Sequence, residues 1–117
     1  MSKTIDVCLS PDLVHIYDFE GKVAVVTDIL RATSCMTTAI AHGVKEIVPV
    51  ENLDECLQYG EQGYLTAAER NGQKVEGFNF GNSPYSYMDS ALKGKSVAVT
   101  TTNGTRAIEL AKVRADE

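Results

Sequence analysis

Cysteine is scarce in this chain of 117 residues: Cys8, Cys35 and Cys56 form an odd set with no CxxC spacing. That excludes a zinc site of the usual spacing and a secreted disulfide scaffold, and it fits a reducing cytoplasm. Long apolar runs are missing as well. No segment approaches the roughly 18 apolar residues of a membrane helix, and no basic stretch followed by an apolar run marks a signal peptide, so no membrane partner is expected. Basic residues number 11 against 16 acidic ones, a net charge of −5. That charge repels polyanions at long range and argues against nucleic acid as a partner. It leaves room for a small anionic ligand, because arginines and backbone amides act locally, within a Debye length of roughly 8–10 Å. Repeats, low-complexity tracts and Ser/Gly/Pro-rich linkers do not occur. With 44% hydrophobic and 23% charged residues, the expectation is one globular domain over residues 1–117 with a packed core.

What is present is an alternation of strand and helix patterns. The run Ile5 to Leu9, ended by Ser10-Pro11, predicts a strand, since proline lacks the donor that would continue a ladder. The continuous apolar run Lys22-Val23-Ala24-Val25-Val26-Thr27 predicts a central strand buried on both faces of a parallel sheet. Helical spacing from Thr33 to His42 ends at Gly43, a natural residue beyond a helix C-terminus. Further strands are expected at 46–50, 64–68 and 95–100. Helices are expected from an Asn52 N-cap, briefly near Pro84, and from Arg106 to Lys112; the stretch from Glu69 to Ser83 reads as irregular apart from a tight Asn71-Gly72 turn. Such alternation predicts an α/β domain, a three-layer α/β/α arrangement with a mainly parallel sheet. The last helix pattern is followed by no further strand. An unpaired edge, an apolar patch and homo-oligomerisation are therefore expected, with weak activity from a piece of a longer protein.

Open parallel sheets bind ligands beyond the carboxyl ends of their strands, and three polar clusters fall there. They are Asp28 to Thr33, then Glu69-Arg70, then Thr100 to Thr105. In the third, Thr101, Thr102, Asn103, Gly104 and Thr105 lead into a helix, which suits a phosphate on outward-facing amides and hydroxyls. The same Asn-Gly pair is also a hairpin signal, but no strand alternation follows it. Asp28 and Glu69 have the oxygens a single Mg²⁺ needs. Equally, Asp28 would cap the next helix and Glu69 would pair with Arg70 at the surface. Arg31, Arg70 and Arg106 stand beside the three clusters, where bidentate anion recognition competes with ordinary solvation. Other signals fail. Gly94-Lys95-Ser96 lacks the first glycine of a phosphate loop, Asp28 is not followed by the second aspartate of an aspartyl phosphatase, and Ala41 stands where a cysteine phosphatase would need arginine relative to Cys35. Cys35 reads as a small core residue, and His15 and His42 as ordinary structural histidines.

Taken together, Val26 to Thr33, Glu69-Arg70, Glu76 to Pro84 and Thr100 to Thr105 closely resemble, in order and spacing, the 2-phosphosulfolactate phosphatase family. The resemblance covers nearly the whole chain and corresponds to the N-terminal half of a member. It implies a Mg²⁺-dependent hydrolase that releases phosphate from 2-phospho-3-sulfolactate, a small anionic phosphate ester, on the way to coenzyme M. It implies Asp28, Arg31 and Glu69 as catalytic residues, with the metal on Asp28 and Glu69. Substrate would be held by Arg70, Asn82, Ser83, Thr101, Thr102, Asn103, Gly104, Thr105 and Arg106, and a metal-activated water is the expected nucleophile. Family members usually carry Asp where this chain has Asn79. That difference is the feature favouring the rival readings, a non-catalytic anion-binding module or a phosphatase for another small anionic ester.

Overall fold

The computed structural model describes residues 2–114. Its sheet contains β1 (Glu46–Pro49), β2 (Leu65–Arg70), β3 (Gln73–Lys74) and β4 (Ser96–Thr100) in the order β1-β4-β2-β3. β4 pairs in parallel with both β1 and β2, and β3 is antiparallel to β2. The helices are α1 (Ala32–Ala41), α2 (Leu53–Glu61) and α3 (Gly104–Lys112), with 3-10 turns at Pro11–Ile16, Pro84–Tyr87 and Ser90–Leu92. The expected α/β class with a mainly parallel sheet is therefore what forms.

Alternate residues of β4 enter different apolar clusters. Val97 and Val99 pack with Cys35 and Ala39 of α1, Ala67 and Tyr87, while Ala98 packs with Cys56 of α2, Ala68 and Phe78. Period-two alternation of a strand thus sends one run of sequence to both sides of the sheet. Local signals bound two of the helices. Asn52 Oδ1 accepts the Glu55 N–H at 2.9 Å and caps α2 as expected. Gly43 lies at φ +96°, and the Val44 N–H to Ala39 carbonyl and Gly43 N–H to Ile40 carbonyl bonds close α1 in a Schellman motif. Pro49 stands on the edge strand β1, the place in a sheet that tolerates a missing donor.

Two expected strands do not form. Residues 5–9 and 22–27 are extended chain with no ladder partner among the described residues, and Val23 and Val25, expected to be buried, are 66% and 80% exposed. Residues 28–31 are bonded to the start of α1 through Thr33 and Ser34, and to the turn after β2 through Arg31. The chain preceding them leaves the sheet instead of entering it. This N-terminal arm is held by a few polar contacts: Tyr17 Oη donates to the Val7 carbonyl at 2.8 Å, Lys22 pairs with Asp6, and Arg106 of α3 pairs with Asp12. The radius of gyration is 15.0 Å, against about 13 Å for a compact chain of this length. The stretch 69–83 is also less irregular than expected, since β3 folds back on β2 and Phe80 bridges to Ala67.

Candidate active site

Asp28 sits where the arm meets α1. Its N–H donates to Thr33 Oγ1 at 2.7 Å and its carbonyl accepts the Thr33 N–H at 3.0 Å, a reciprocal pair at the start of α1. The cap position of α1 falls on Arg31 with no side-chain cap bond, so the expected side-chain cap by Asp28 does not form; the Asp28 backbone is committed to Thr33, while its carboxylate accepts no hydrogen bond among the described residues. That carboxylate lies against the first residue of α3: a Cβ built on Gly104 would stand 3.2 Å from Asp28 Oδ2 and 2.4 Å from the Ala32 Cβ. The absence of a side chain at Gly104 is what lets α3 begin against α1 and Asp28.

Glu69, at the carboxyl end of β2, is only 8% exposed. Its Oε1 accepts the Gly72 N–H at 2.7 Å and the Thr102 hydroxyl at 3.1 Å, and its Oε2 accepts the Thr102 N–H at 3.3 Å. Burial pushes its pKa up, but these donors together with the Arg70 charge outweigh that and hold the carboxyl below its ordinary value. Glu69 is therefore ionised and ties the threonine loop to the Asn71-Gly72 turn. Both turn residues have positive φ, +54° and +77°, so the tight turn read from the sequence is present. The same turn holds Arg31, whose guanidinium donates to the Gly72 carbonyl at 3.3 Å. One turn thus organises both an acidic and a basic candidate. Sequence reading marked the turn but not this role.

The threonine loop is built differently from the sequence expectation in one respect. The hydroxyls of Thr101 and Thr105 do not face outward: both residues are buried, Thr105 N–H donates to Thr101 Oγ1, and the Thr105 hydroxyl bridges the Thr101 backbone. They brace the start of α3 from within. Thr102 and Asn103 are exposed, and the N–H groups of Asn103, Gly104 and Arg106 make no hydrogen bond among the described residues. These amides lie at the positive end of a nine-residue helix, the standard disposition for an anion.

The remaining candidates divide. Arg70 donates to Thr100 Oγ1 at 3.0 Å and to the Glu69 carbonyl at 2.7 Å, so it braces the strand end rather than pairing with its neighbour's carboxylate. Arg106 pairs with Asp12 at 2.6 Å on the arm side of α3. Asn82 is buried and Ser83 precedes the Pro84 turn, and neither is hydrogen-bonded to the threonine loop among the described residues. Cys35 is core, 3% exposed, and burial pushes its thiol up to about 11. Asn79 is explained by structure: its Oδ1 accepts the Thr66 N–H at 2.8 Å and the Thr66 hydroxyl at 3.1 Å. Thr66 precedes Glu69 by three strand residues, about 10 Å. An amide serves there as well as a carboxylate. Among the described residues no three His, Cys, Asp or Glu side chains converge as a metal cluster.

Comparison with known proteins gives a family match. A family profile described as 2-phosphosulpholactate phosphatase matches residues 8–117. A protein of Clostridium acetobutylicum named "Probable 2-phosphosulfolactate phosphatase" is 47% identical over 109 residues, covering 90% of this chain and 46% of that protein. Proteins of the same name from Thermotoga maritima and Clostridium tetani are 46% and 42% identical, covering 84% and 96% of this chain and 42% and 49% of their own lengths. The chain spans about half the length of the curated relatives it matches.

Proposed function

The chain belongs to the 2-phosphosulpholactate phosphatase family, and from that membership we propose that it forms the phosphate-binding half of a Mg²⁺-dependent phosphatase acting on 2-phospho-3-sulfolactate. The observation that carries the reading is the juxtaposition of an uncommitted carboxylate, Asp28, with the amides that open α3. A phosphate ester seated on those amides would face Asp28. We read the domain as a three-layer α/β/α sandwich of a cytoplasmic enzyme; no described helix is long and apolar enough to cross a membrane.

The donor set fits magnesium, which typically uses one or two carboxylates and takes its remaining ligands from water and phosphate. Asp28 would hold it, with the spare acceptor capacity of Glu69 Oε2 as the second carboxylate position. Bound there, the ion supplies charge neutralisation to the phosphate oxygens. The protein's own groups do the rest. The Asn103, Gly104 and Arg106 amides donate to the phosphoryl oxygens. Glu69 fixes the Thr102 amide so that the loop does not reorganise as charge builds, and the Gly72 turn keeps Arg31 beside it. Arg31, bonded among the described residues to the Gly72 carbonyl alone, keeps guanidinium donors suited to a substrate that also carries carboxylate and sulfonate groups. Asn79 braces β2, so the feature that favoured a non-catalytic module acts elsewhere.

The test is phosphate release from 2-phosphosulfolactate with magnesium and with chelator, by the chain alone and in complex with the remaining portion of a relative. Magnesium-dependent release supports the proposal. Tight phosphate binding without turnover in the complex would favour an anion-binding module instead.

A further inference from the structure

The arm presents an apolar stripe that nothing among the described residues covers. Ile5, Val7 and Leu9 are 90%, 66% and 87% exposed, and Val23 and Val25 are 66% and 80% exposed. Within each run the residues are two apart, so each extended segment shows one apolar edge of a strand. The backbone N–H and C=O groups of residues 23–27 have no partner among the described residues. Extended chain with a period-two apolar stripe and an empty ladder is a strand lacking its sheet.

We propose that the arm docks by strand pairing on the part of the family's chain length that this sequence does not span. More than half of each relative lies outside the match, so the family contains a segment of sufficient size to bury the arm. A second copy of this chain is the weaker occupant. Both copies would carry a net charge of −5, and the open edge of β1 includes Pro49, which cannot donate. The position of the arm gives the docking a consequence. It leaves the sheet at Asp28, beside the opening of α3, so its partner lies next to the phosphate-binding amides and encloses them.

The experiment co-expresses this 117-residue chain with the unmatched portion of the Clostridium acetobutylicum relative as a separate polypeptide. Sedimentation and amide hydrogen exchange are then measured on the chain alone and on the mixture. The proposal predicts a one-to-one complex in which the amides of Val23 to Thr27 become slowly exchanging, and its loss in Val25→Asp with the exchange of β4 unchanged. Failure to associate, a complex that leaves these amides fast, or a dimer of this chain that already protects them would each overturn it. No readout involves turnover, so the outcome stands apart from that of the phosphatase assay.

Discussion

Two six-residue strings in this protein are nearly the same: Lys22-Val23-Ala24-Val25-Val26-Thr27 and Lys95-Ser96-Val97-Ala98-Val99-Thr100. The second is the centre of the sheet, with Val97, Ala98 and Thr100 fully buried. The first lies extended in the arm with its valines in solvent. Composition therefore gives both strings the capacity to be strands, and the partner decides which one is. β4 has β1 on one side and β2 on the other, with α1 and α2 over its faces. Among the described residues the arm is held by the Tyr17, Lys22 and Asp12 contacts and by the Pro11–Ile16 turn against α3, with Val14 buried.

The largest expected effect that would break or sharpen this contrast is in the site between the two regions. Asp28→Asn, assayed in the complex, should lower turnover by more than about 100-fold without loss of folding, the scale of a preorganised electrostatic group; a near-normal rate in a folded variant would remove Asp28 from the chemistry. Next come paired charge insertions. Val97→Asp places an unpaired charge in the core and should cost at least about 3 kcal/mol in urea unfolding, whereas Val25→Asp in the arm should stay within about 0.5 kcal/mol. Gly104→Val should cost about 1–3 kcal/mol by overpacking against Ala32 and weaken inorganic phosphate binding, read by calorimetric titration. The strain there is one of close approach, not of backbone φ.

Glu69 supplies a pH signature. Its folded carboxyl titrates below the ordinary value of 4.5, so the stabilisation it gives is complete above that pH and is lost as pH falls through the folded value. Glu69→Gln should flatten this acid limb in denaturant titrations below about pH 4.5 while leaving the arm's exchange unchanged. The smallest effect belongs to Arg106→Ala. Its ion pair with Asp12 is exposed by 52% and 72%, and removing it should shift stability by at most about 0.5 kcal/mol.

Much of the sheet region was legible because its signals are local. The Asn52 cap, the Gly43 terminus, the Asn71-Gly72 turn and the apolar runs of β1, β2 and β4 each act within a few residues. The arm was misread because burial is a property of the partner and not of the run. Within the site, the clusters after β2 and β4 were legible as strand ends, whereas Asp28 follows extended chain and stands ahead of α1. The inward turn of Thr101 and Thr105, the commitment of Arg106 to Asp12 and the bracing role of Asn79 depend on contacts distant in sequence, and no local pattern signals them.

The contrast between the two strings is tested most directly by amide hydrogen exchange on the chain alone. The amides of Val97 to Thr100 should exchange only with global unfolding, and those of Val23 to Thr27 at the rates of unstructured chain. Comparable protection of both strings in the isolated monomer would contradict the account.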